Sequence, residues 1–77
     1  MNIALIEEAV ERGVPFTLKV ADGDEFRVPH PDYISLPPKA APKRVYVIVY
    51  KDNGLASVLP LLTITSLTYQ ASAGKKR

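Results

Sequence analysis
The sequence predicts a mainly-β protein: an N-terminal α-helix followed by a strongly bent, five-stranded antiparallel small barrel. Three observations predict it. Apolar residues recur every three to four positions near the start, then every second position over most of the rest. Asp22-Gly23 and Asn53-Gly54 punctuate that second part with turns. A chain of 77 residues also has a thin core. A flat sheet would leave a whole face wet, whereas a sheet bent back on itself hides most of it. The length fits one domain, read as residues 1–70, with residues 71–77 as a flexible basic tail.

The helix is expected over residues 2–12. Asn2 suits an N-cap, because its side chain can accept from a free backbone N–H in the first turn. Ile3, Ile6 and Val10 form a stripe that Leu5 and Ala9 widen, with Glu7, Glu8 and Glu11 on the other side. Gly13 offers a left-handed stop, and Pro15 disfavours helical backbone at Val14.

The first strand is expected over 15–21, where Phe16, Leu18 and Val20 alternate with Thr17, Lys19 and Ala21. Asp22-Gly23 then turns the chain into a second strand over 24–29, with Phe26 and Val28 against Glu25 and Arg27. Pro29 and Pro31 end that strand, since each removes a backbone donor. Residues 33–36 read as a short third strand. Pro37 to Lys43 read as a loop, held extended by three prolines.

Residues 44–50 form the most β-prone segment. Val45, Val47 and Val49 share one face; Tyr46, Ile48 and Tyr50 share the other. Both faces are apolar, which suits a central strand or an interface. Lys51-Asp52-Asn53-Gly54 is a turn. The last strand is expected over 55–69 with a break near Pro60. Its alternation slips, which predicts a bulge or bend near Thr65-Ser66.

Composition excludes several function classes. There is no cysteine, so neither a disulfide framework nor a thiolate metal site is available. No apolar run approaches the ~20 residues that span a bilayer. The N-terminus lacks the form of a signal peptide, so the expectation is a cytoplasmic protein with no membrane partner. The net charge of +2 is misleading. Without Lys75, Lys76 and Arg77, seven basic residues face eight acidic ones and the body stands at −1. The tail reads either as a solvated end or as a phosphate-binding extension.

The chemistry-bearing residues are sparse. His30 is the sole imidazole; with Asp32, and Asp22 or Asp24, it falls short of a typical zinc set, and flanking prolines favour a structural bend. Asp22, Asp24 and Glu25 sit at a hairpin tip, where turn chemistry explains Asp22. Ser35, Ser57, Ser66 and Ser72 lack a nucleophile context, and the four glycines form no phosphate loop. The expectation is therefore no catalytic residue, no metal and no cofactor. The aromatic set is Phe16, Phe26, Tyr33, Tyr46, Tyr50 and Tyr69. It reads as core and cross-strand packing, or as a base-stacking surface.

One resemblance rests on particular residues. Val14-Pro15 directly after the helix, the alternating run from Phe16 to Asp22-Gly23, and Ile64 resemble the Sm-like superfamily. Within it, the first third is similar to the bacterial host-factor RNA chaperone. That resemblance implies an SH3-like barrel and an RNA-binding ring. The family's second motif carries Tyr-Lys-His, whose lysine and histidine contact RNA; here those positions read Pro60-Leu61-Leu62. The arginine-rich end of the family's helix reads Val10-Glu11-Arg12-Gly13. Val28-Pro29 stands where the family has a strand-bending glycine, and the loop from Pro37 to Lys43 is extra. A second pattern, Asp22-Gly23, Phe26, Val28, His30-Pro31-Asp32 and Ile34, is similar to one found in short uncharacterised bacterial proteins and implies no activity.

Two functions follow as expectations. The first is a non-catalytic, self-associating binding module that makes protein contacts through Tyr46, Ile48 and Tyr50. The second is an Sm-like ring that binds RNA through Lys39, Lys43, Arg44, Lys75, Lys76 and Arg77.

Overall fold
The structure is a computed structural model that describes residues 1–70. Helix α1 spans Ile3–Arg12. The Asn2 side chain accepts from the Ala4 N–H at 2.9 Å, the cap expected of it. Gly13 closes the helix with φ 70°, and its N–H donates to the Val10 carbonyl at 3.1 Å. Ile6 and Ala9 face inward and are fully buried.

Six strands follow: β1 (Phe16–Val20), β2 (Glu25–Val28), β3 (Ile34–Ser35), β4 (Tyr46–Tyr50), β5 (Ala56–Pro60) and β6 (Ile64–Tyr69). They form two three-stranded antiparallel sheets, in the orders β2-β1-β6 and β3-β4-β5. The mainly-β class with a leading helix is therefore as expected. The strands divide between two sheets and close no barrel among the described residues, where one strongly bent five-stranded sheet was expected.

The difference has two local causes. The segment 55–69, read as one strand with a break, is two strands in different sheets. Pro60 ends β5, and a 3-10 turn at Leu61–Thr63 carries the chain to the first sheet. The Thr63 hydroxyl donates to the Pro60 carbonyl at 2.8 Å and holds that corner. Likewise, a 3-10 turn at Pro31–Tyr33 separates β2 from β3 and shortens the third strand from the expected 33–36 to two residues. The His30 ring accepts from the Asp32 N–H at 3.2 Å, so this histidine caps the turn. β4 begins at Tyr46 instead of residue 44, β2 covers 25–28 instead of 24–29, and β1 covers 16–20 instead of 15–21.

The sequence irregularity near Thr65-Ser66 is a register shift. Lys19 pairs with Ser66 and Val20 with Ile64, so Thr65 is skipped. The two sheets share one core. Phe16, Leu18, Val28 and Ile64 come from the first sheet; Ile34, Val47, Val49 and Leu59 come from the second. Helix α1 touches both sides. The Glu7 carboxylate accepts from the Arg44 guanidinium at 2.5 Å, ahead of β4, and Arg12 lies 4.9 Å above the Tyr69 ring at the end of β6.

Candidate functional site
Strand alternation decides which way each residue of β4 points. Val47 and Val49 are buried, so Tyr46, Ile48 and Tyr50 point outward. The hairpin register then pairs Tyr46 with Pro60, Ile48 with Val58 and Tyr50 with Ala56. On the far side of β4, Ser35 of β3 pairs with Ile48. The outer face of this sheet thus carries no charged side chain on β4 or β5. Tyr46 and Tyr50 are 39% and 41% exposed, Val58 is 62% exposed, and Leu62, just past Pro60, is 94% exposed. Ile48, between the two tyrosines, is half-buried. This exposed apolar face is the candidate site on the described chain.

The first sheet provides an internal control. Its outward residues are Glu25 and Arg27 on β2, Thr17 and Lys19 on β1, and Ser66 and Thr68 on β6. All six are polar or charged.

Strand β5 is the free edge of the apolar sheet. The Leu61 N–H donates to Val45 and the Lys51 N–H to Leu55, at 2.8 Å each. Antiparallel alternation then turns the backbone groups of Ala56 and Val58 away from β4. Pro60 adds an outward carbonyl but no donor.

Next to Tyr50 the face borders a groove of about 220 Å³, whose walls include Phe26, Pro29, Tyr33, Lys51 and Asp52. The Tyr33 hydroxyl donates to the Asp52 carboxylate at 2.7 Å. That bond, then the Asp52 charge and partial burial, holds the phenol above its ordinary pKa. The Lys51 ammonium sits 5.3 Å from the Phe26 ring centre.

The described basic candidates, Lys39, Lys43 and Arg44, share the segment between β3 and β4. Lys39 and Lys43 are exposed in the loop between β3 and β4. Arg44 is committed: it donates to Glu7 and reaches the Pro37 carbonyl at 3.4 Å. The Arg44 bond holds the Glu7 carboxylate below its ordinary pKa, against the opposing effect of burial; the charges of Arg44 and Lys39 add to the lowering. Lys75, Lys76 and Arg77 lie outside the described residues. Among the described residues, no three His, Asp or Glu side chains converge as metal ligands. Asp22 accepts from the Asp24 N–H at 2.9 Å and so serves the turn.

Three residues of the site escaped the sequence reading: Ala56, Val58 and Pro60. The signal was present. A hairpin turning at Lys51-Asp52-Asn53-Gly54 sets residue 46 opposite 60 and 48 opposite 58, which puts those three beside Tyr50, Ile48 and Tyr46. Comparison with protein-family profiles, with curated proteins and with solved structures gives no match to this chain.

Proposed function
We propose that this protein is a non-catalytic, self-associating binding module that makes protein contacts through the outer face of the β3-β4-β5 sheet. One observation carries the reading. The paired positions of β4 and β5 turn Tyr46, a half-buried Ile48, Tyr50, Ala56, Val58 and Pro60 outward without a charge, whereas the equivalent face of the other sheet is polar throughout. A face that served solubility alone would resemble the second of these. The scaffold is best described as an open small barrel of SH3-like order. Its support is the strand order and the two 3-10 turns, which sit at the corners where the chain passes between sheets.

The alternative is an RNA-binding ring that uses Lys39, Lys43, Arg44 and the tail. Its support is reduced by the engagement of Arg44 with Glu7 and Pro37. Light scattering on a sizing column, at low and moderate salt, separates the two. The protein-contact reading expects an assembly that tolerates salt and that Ile48→Lys takes apart. An assembly indifferent to Ile48→Lys would sink it. RNA binding that falls steeply with salt and is lost on changing Lys43, Arg44 and Lys51 to glutamate would establish the alternative.

A further inference from the structure
Strand β2 ends the order β2-β1-β6, and its outer edge faces the groove beside Tyr50. We infer that this edge takes a strand from a partner protein: an extended peptide, antiparallel to β2, with an acidic, an apolar and a basic residue in that order. The site is separate from the outer face of the other sheet and does not depend on it.

Hydrogen-bond phase is the first support. The Val20 N–H donates to the Asp24 carbonyl at 3.0 Å. That makes Val20 and Asp24 a hydrogen-bonded pair, and Leu18 and Phe26 the next one along the ladder. Glu25 and Arg27 fall between, opposite Lys19 and Thr17. Their N–H and C=O groups therefore point away from β1, and among the described residues no other backbone group bonds them. An extended chain laid beside β2 would meet this free ladder at every second residue, which is how strand addition holds a peptide by its main chain.

The corner after β2 supplies the second. Pro29 has no donor to offer, and the 3-10 turn at Pro31–Tyr33 sends β3 to pair with β4. The space left beside β2 is the groove of about 220 Å³, bounded by Phe26 and Pro29 and by Tyr33, Val49 and Tyr50. It is smaller than the ~300–1,000 Å³ of small-molecule sites and suits one large apolar side chain. The peptide residue opposite Phe26 points to the same side of the sheet as Phe26, into that groove.

Charge is the third. Glu25 and Arg27 are exposed on the outer side of β2. Residues directly opposite on neighbouring strands favour opposite charge. In antiparallel order, the peptide residue opposite Arg27 comes first and is acidic; the one opposite Glu25 comes last and is basic. One sign along an edge repels neighbours of that sign, whereas this mixed pair selects a neighbour. The other edges suit a peptide less. β3 has two residues, β5 ends in Pro60, and β6 has Leu5 and Arg12 of α1 beside Leu67 and Tyr69. β2 of a second copy has the same charge order, but its Phe26 packs on its own core and is not free to fill a neighbour's groove.

The probe is a capped peptide, threonine-glutamate-leucine-lysine-threonine, set against a control with the glutamate and lysine exchanged. Titration followed by amide NMR should show the first binding about 10-fold tighter than the control. Hydrogen exchange supplies a signature that a loose contact lacks. The Glu25 and Arg27 amides should slow on binding, and the Phe26 amide, already bonded to β1, should not change. Glu25→Lys combined with Arg27→Glu alters two exposed residues and should invert the peptide preference. Equal binding of the two peptides, a preference for the control, or no binding at millimolar peptide would each overturn the site. So would protection of Ala56 and Val58 in place of Glu25 and Arg27. Protection of Glu25 and Arg27 that rises with protein concentration alone would give the edge to a second copy and overturn the peptide as occupant. Ile48→Lys should leave peptide binding unchanged; loss of binding in that variant would place the peptide on the apolar face and overturn the edge site.

Discussion
Strands β1 and β4 are each five residues long, and each is the centre of a three-stranded antiparallel sheet. Their inner residues are equivalent: Phe16, Leu18 and Val20 on one, Val47 and Val49 on the other, all buried in a shared core. Their outer residues are not. Thr17 and Lys19 face water beside Glu25, Arg27, Ser66 and Thr68; Tyr46, Ile48 and Tyr50 face it beside Ala56, Val58 and Pro60. Folding requires only the inner set, because one dry face per sheet builds the core. The outer set is free to follow another demand. Within one small chain, the first sheet shows what an outer face looks like when water is its sole partner. The second is the face on which the proposed contact rests.

The largest expected effect tests the side the sheets have in common. Leu18→Ala and Leu59→Ala each remove a buried side chain, one from each sheet. Each should lower stability by about 3 kcal/mol, and Tm by more than ~10 °C in a domain this size. Thermal unfolding followed by circular dichroism reads this. If one sheet tolerated the change and the other did not, the shared core would not be the unit of stability.

The next effect breaks the symmetry. Val58→Lys and Thr68→Lys put the same charge on outward positions of edge strands in the two sheets. Both should leave unfolding within ~1 kcal/mol of the unaltered protein, as outward strand positions usually do. Only Val58→Lys should weaken self-association, and by at least ~10-fold, because it alone would bury an unpaired charge. Equal loss from both would mean that overall charge, and not the apolar face, governs assembly.

Much of this contrast was legible in the residues. The alternation of Val45, Val47 and Val49 with Tyr46, Ile48 and Tyr50 announced two apolar faces, and alternation at Phe16–Val20 and Glu25–Val28 announced one wet face and one dry face. The turns at Gly23 and Gly54 fell where positive φ was needed, at 96° and 86°. What alternation could not state is where one sheet ends. Pro60 and Pro31 read as interruptions, yet each marks a corner where the chain changes sheets, and that depends on which distant strand receives it. β6 returns to β1 across more than forty residues, a pairing with no local signal. The engagement of Arg44 was hidden for the same reason. Its partner Glu7 lies 37 residues away, half-buried on a helix face that the stripe pattern assigns to water.

That ion pair gives the third expectation. The Arg44 bond lowers the Glu7 pKa in the fold. Its contribution is therefore present above the ordinary carboxylate range, and it is lost as pH falls through the lowered folded value. Glu7→Gln should reduce Tm at neutral pH and leave it unchanged under acid where both forms are neutral. Self-association should not respond at neutral pH, since α1 packs away from the outer face. A loss of association with Glu7→Gln would show that helix docking shapes the second sheet.

The smallest effect lies at the border between the apolar face and the groove beside it. Tyr33 bonds Asp52 and neighbours Tyr50. The neutral phenol is the form the fold favours, because it donates to a carboxylate and its ionisation would set two negative charges together. The contribution is present below the ordinary phenol range near ~10 and is lost as pH rises through the raised folded value. Absorbance titration of the four tyrosines should show one that ionises late. Asp52→Asn keeps an acceptor but removes the charge, so that tyrosine should move back toward the others. Tyr33→Phe should delete the late step and leave self-association intact, because the ring that completes the apolar border remains. If Tyr33→Phe weakened association as Val58→Lys does, the contact surface would extend past Tyr50 into the groove. The boundary between the wet and apolar regions would then have to be drawn through Asp52.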